Sequence, residues 1–202
     1  MSGNDSHRSF LQDLKIAHDV YTIEVVDEDS KKITLHLAGP AGTPYVGGVY
    51  EVDIKFPVTY PDGLPEVVFN VPIWNAAVEP STGRVSFNNE TNLNVGQTLN
   101  YVDDLLKVLD FEDDSEFAKT ARFWSAEFAG AMGYPEYNIL VAKVRKVEEM
   151  GFPTDKIWKT LSDFIQLQSD SSYKDAIIAL SECEWKVEEA AVQLIDQAST
   201  EC

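Results

Sequence analysis

The chain has 202 residues, with 34 Asp and Glu against 16 Lys and Arg, for a formal net charge of −18. At 44% hydrophobic and 11% aromatic residues it can bury a sizeable core, which excludes wholesale disorder. The acid excess argues against nucleic acid or an anionic membrane surface as partner, since both are recognised through Lys and Arg.

Residues 6–20 place Phe10, Leu14, Ala17 and Val20 on one stripe and predict a helix. Four β-rich runs follow, at 21–28, 32–39, 49–56 and 66–71. In VYEVDIKF, Tyr50, Val52, Ile54 and Phe56 share one face, and Val49, Glu51, Asp53 and Lys55 the other. Connectors rich in Pro and Gly, at 39–48 and 57–65, mark turns. The pattern predicts an antiparallel meander with the first helix on one face.

From Trp74 to Asn100 periodicity fails, which predicts a long irregular loop, a kind of segment that is often functional. Helical patterns return at 101–111 and at 117–131, the latter with Phe117, Ala121, Trp124 and Phe128 aligned. Beyond residue 132 the chain reads as a small all-helical unit. It begins with a helix at 139–152 closed by Gly151, followed by an apolar stripe at 154–168. Two further helices carry Ser172 and Ser181 as predicted N-caps. The cysteines, Cys183 and Cys202, have no CxxC or zinc-ligand spacing. The N-terminal stretch has no apolar signal core, and no run approaches the roughly 18–20 apolar residues of a membrane span. The expectation is a cytoplasmic or nuclear protein without cofactor or metal.

The segment from Gly39 to Phe69 carries a resemblance. Gly39-Pro40, Thr43-Pro44-Tyr45, Gly47-Gly48, Phe56-Pro57, Tyr60-Pro61 and Pro65 match, in order and spacing, the centre of the ubiquitin-conjugating enzyme domain. TARFWSAEFAGA and PEY further resemble the end of the member with a C-terminal ubiquitin-associated domain, whose binding loop resembles Met150-Gly151-Phe152. The resemblance implies an α+β fold, a ubiquitin-conjugating-enzyme-like domain at 1–132, and a ubiquitin-associated-like all-α bundle at 138–198. About 19 extra residues between MGF and Ala179 are enough for an inserted helix at 154–168.

The departures from the family pattern set the functional expectation. Where the family has His-Pro-Asn, this chain has Asn75-Ala76-Ala77, and Ser86 stands at the acceptor cysteine. A thiol supplies a few per cent of nucleophilic thiolate at neutral pH, whereas a serine hydroxyl needs a positioned base. Arg84, Val85, Phe87 and Asn88, the sequence neighbours of Ser86, offer none. The resemblance with these losses implies a catalytically inactive homologue that binds ubiquitin or ubiquitin chains, an active conjugating enzyme, or both. Its ubiquitin contacts would be Met150, Gly151, Phe152, Leu194 and Ile195. Two alternatives stand beside it: an active enzyme forming a ubiquitin oxyester on Ser86, and an interaction scaffold that does not bind ubiquitin.

Overall fold

The computed structural model describes residues 3–87, 90–110, 112–134, 136–150 and 169–200. The chain divides into two compact units, residues 1–132 and 133–202. In the first, helix α1 (Gly3–Ala17) precedes strands β1 (Thr22–Asp27), β2 (Lys32–Ala38), β3 (Val49–Lys55) and β4 (Glu66–Phe69). Helices α2 (Val95–Leu105) and α3 (Glu116–Phe128) follow. The strands form one antiparallel sheet in the order β1-β2-β3-β4, which is the meander the alternation predicts.

The register explains the core. Leu37 lies opposite Tyr50, Leu35 opposite Val52 and Ile33 opposite Ile54, while Val52 and Ile54 face Phe69 and Val67. Every one of these side chains is buried, because a period of two sends alternate residues to one face. β1 is largely exposed, as an edge strand. Phe10, Leu14 and Ala17 of α1 are buried, and fully burying a Phe or Leu contributes about 1.5–3 kcal/mol. The Phe10 ring sits 5.5 Å from Phe56 and 5.7 Å from Tyr60. Val20 departs from the predicted stripe. The helix stops at Ala17, the Tyr21 N–H returns to the Ala17 carbonyl (2.9 Å), and Val20 is 74% exposed.

α2 begins six residues before its predicted start. Asn94 accepts from the Gln97 N–H (2.9 Å), and the Gln97 side chain accepts from the Asn94 N–H (3.0 Å). This capping box opens a helix whose buried stripe is Val95, Thr98, Leu99, Val102 and Leu105. The chain leaves the helix at Leu106, well before the predicted end at 111. α3 starts at the Ser115 cap, and its buried face is wider than predicted, taking in Ala118 and Phe123 beside Ala121 and Trp124. The Tyr50 hydroxyl bonds Ser125 Oγ (2.9 Å) and ties α3 to the sheet. Burial pushes that phenol up to about 12.

In the second unit, α4 (Tyr137–Glu149), α5 (Ser169–Glu182) and α6 (Val187–Thr200) bury Leu140, Val144, Val147, Ile177, Leu180, Val187 and Ala190 around Trp185. Neither predicted serine cap holds. Ser172 lies inside α5, which starts at Ser169. Ser181 also lies inside it, its hydroxyl turned back onto the Ile177 carbonyl (2.7 Å), the local bond that keeps Ser in a helix interior. The α5–α6 turn instead runs through Glu184 and Trp185 at positive φ. The predicted helix at 154–168 lies outside the described residues.

Candidate functional site

The irregular segment after β4 is built on a narrow turn. The Gly83 carbonyl accepts from the Phe69 N–H (2.8 Å) and the Val85 N–H donates to Val67 (3.0 Å), so residues 83–85 line the edge of β4. Gly83 sits at φ +71°, and a Cβ there would lie 2.3 Å from the Phe69 carbonyl oxygen. Only glycine fits both demands. Val78 bridges Val85, and Arg84 pairs with Glu66 at 2.7 Å.

This turn brings Ser86 beside Ala77. The Ser86 N–H donates to the Ala77 carbonyl at 2.8 Å. The Ala77 N–H in turn donates to Asn75 Oδ1 at 3.0 Å. Asn75 is 8% exposed, and its amide also donates to the Tyr45 hydroxyl (3.0 Å) and the Leu105 carbonyl (2.8 Å). Its side chain therefore braces the loop against α2 and has no donor left for a reactant. Tyr45, whose hydroxyl donates to the Trp74 carbonyl (2.9 Å), has its pKa raised by burial. Ala76 is exposed and Ala77 is half-buried.

Ser86 itself is exposed, and among the described residues no carboxylate or imidazole bonds its hydroxyl. Its carbonyl accepts from the Tyr101 hydroxyl at 3.2 Å, and the Phe87 and Tyr101 rings meet at a tilt of 45° with centroids 5.0 Å apart. His36 lies between Glu24 and Glu51, and His7 beside Glu28, so neither is placed as a base for Ser86. A neutral hydroxyl on a fixed backbone, beside an alanine methyl, offers neither a base nor a side-chain oxyanion donor. The braces Tyr45, Leu105 and Tyr101 were absent from the sequence-based site. Only the Thr-Pro-Tyr motif pointed to one of them, and Tyr101 sat at the start of a misplaced helix.

In the second unit, Met150 caps α4 and is 47% exposed. On α6, Leu194 is half-buried and Ile195 is 50% exposed. Gly151 and Phe152 lie outside the described residues. Cys183 is half-buried in the turn after α5, with Sγ 3.0 Å from Gln193 Oε1. Burial, with Glu189 and Glu182 nearby, raises its pKa and suppresses thiolate. Among the described residues no cluster of His, Cys, Asp and Glu could hold a metal ion.

Comparison with known proteins bears on the first unit and beyond. The ubiquitin-conjugating enzyme family model matches residues 7–109. Ubiquitin-conjugating enzyme E2 K of Homo sapiens is 28% identical over 192 residues, covering 86% of this chain and 85% of its own. Ubiquitin-conjugating enzyme E2 27 of Arabidopsis thaliana is 26% identical over 162 residues, covering 70% and 81%. A solved Plasmodium yoelii ubiquitin conjugating enzyme aligns with a TM-score of 0.50 at 23% identity, over 62% of this chain and 97% of that one, a likeness of fold. With the four-stranded meander and its flanking helices, the family match over residues 7–109 shows that this chain belongs to the ubiquitin-conjugating enzyme family.

Proposed function

We propose that this chain has left the charging cycle of its family and works by binding. Its N-terminal domain, residues 1–132, is read as a catalytically inactive conjugating-enzyme domain that engages an active conjugating enzyme. Its C-terminal domain, residues 138–198, is read as a ubiquitin-associated-like bundle that holds ubiquitin or ubiquitin chains. It would act in the cytoplasm or nucleus, modulating ubiquitination carried out by others.

One observation carries the reading. The segment that matches the family contains no cysteine, the two in the chain being Cys183 and Cys202. Ser86, at the acceptor position by spacing, has no base within reach among the described residues. Ala77, at the position of the family's asparagine, removes an amide whose loss elsewhere costs roughly 10²–10³ in rate. The exposure of Met150 and Ile195, and the half-exposed Leu194 next to Ile195 in the chain, support an apolar contact with ubiquitin.

The test is titration of the full-length, ¹⁵N-labelled protein with ubiquitin. Shifts at Met150, Leu194 and Ile195 are expected. A spectrum that ubiquitin leaves unchanged throughout would favour the scaffold alternative and overturn the binding reading.

A further inference from the structure

The helical unit carries an open groove of about 720 Å³ between the N-terminal half of α4 and the start of α6. Ile139, Ala142, Lys143, Lys146, Lys186 and Val187 line it. Ile139 is 59% exposed and Ala142 is open to solvent, so the groove offers apolar surface that no described residue covers.

Its charge runs against that of the surrounding unit. The described residues of this unit hold five bases, Lys143, Arg145, Lys146, Lys174 and Lys186, and ten acids. Three of the five bases line this groove, with Glu188 as its one acid. Lys143 is the anchor. It is half-buried, its ammonium donates to the Trp185 carbonyl at 3.0 Å, and among the described residues it pairs with no carboxylate. A neutral carbonyl orients that charge without cancelling it. Lys146 lies 3.7 Å from Glu188, and Lys186 lies 3.6 Å from Glu184 and 3.5 Å from Glu189. These are long, exposed pairs that contribute little and yield readily to an incoming anion. The first turn of α6 adds the positive end of a helix dipole, partly offset by Glu188 and Glu189.

We propose that this groove docks an acidic peptide segment of a partner protein. One apolar side chain of the segment lies over Ile139 and Ala142, and a neighbouring carboxylate meets Lys143. Met150, Leu194 and Ile195 do not line this groove, so the proposal is tested independently of ubiquitin binding.

The full-length, ¹⁵N-labelled protein is titrated with three synthetic peptides: one alternating Leu and Asp, one with Lys replacing Asp, and one with Ser replacing Leu. The Leu/Asp peptide alone should shift the amides of Ile139, Ala142, Lys143, Lys186 and Val187. Lys143→Glu should weaken it about tenfold and more salt should weaken it further. Ile139→Ser, at an exposed position that leaves the core intact, should weaken it as well, with the Leu180 and Ala190 amides undisturbed. No groove shift with the Leu/Asp peptide, equal shifts with the Lys peptide, or shifts confined to Met150 and Ile195 would overturn the proposal.

Discussion

Asn75 makes the loop before Ser86 a braced structure. Its amide satisfies the Ala77 N–H, the Leu105 carbonyl and the Tyr45 hydroxyl at once. Asn75→Ala leaves several of these groups without partners in a buried setting, at a cost of about 2–3 kcal/mol. Urea denaturation followed by the near-ultraviolet signal of the first unit should show that loss, and a change under about 0.5 kcal/mol would contradict the bracing role. The tyrosines give a second handle. Burial raises Tyr45, Tyr50 and Tyr60, with Tyr50 at about 12, and the Asp13 carboxylate raises Tyr60 further. A pKa higher in the folded state means a contribution that is intact below the unfolded value near 10 and is lost as pH climbs through the folded one. The first unit should therefore lose stability between about pH 10 and 12, with a late rise in tyrosinate absorbance that coincides with unfolding. Complete, reversible tyrosinate formation below pH 11 in the folded protein would contradict the burial assignment. At this scale the departures from the family pattern at residues 75–77 and 86 were legible in the sequence. It could not show what Asn75 does instead, because its partners come from residues 45 and 105.

At the scale of elements, the strands were legible and several helix ends were not. A strand on a half-buried sheet writes its period of two into the sequence, and β3 buries Tyr50, Val52 and Ile54 while Glu51 and Lys55 face out. α2 was misplaced because Gly96, Gln97 and Thr98 follow the lone apolar Val95 in its first turn, so the buried stripe that begins at Val95 is thin there while the cap at Asn94 already opens the helix. Asn94→Ala should cost about 1 kcal/mol, since it removes the acceptor for the Gln97 N–H. A shift in the urea midpoint of the first unit measures this, and Asn94→Ser should recover most of it; no shift in either variant would contradict the capping box. Ser181 misled in the opposite direction. Serine near a helix end reads as a cap, yet here it bonds four residues back, and the helix runs on to Glu182.

At the scale of the whole molecule, the net charge of −18 and the two compact units accord with the proposed reading of a protein that works through other proteins. The first unit carries the fold of its family, and on the proposed reading residues 75–77 and 86 no longer supply what a carrier of activated ubiquitin needs. The most direct measurement is charging: the wild-type protein incubated with activating enzyme, ATP and ubiquitin, beside a cysteine-containing family member. No ubiquitin adduct on this chain is the predicted result, while the control charges. An adduct that survives thiol reductant, is cleaved by mild alkali and disappears in Ser86→Ala would contradict it.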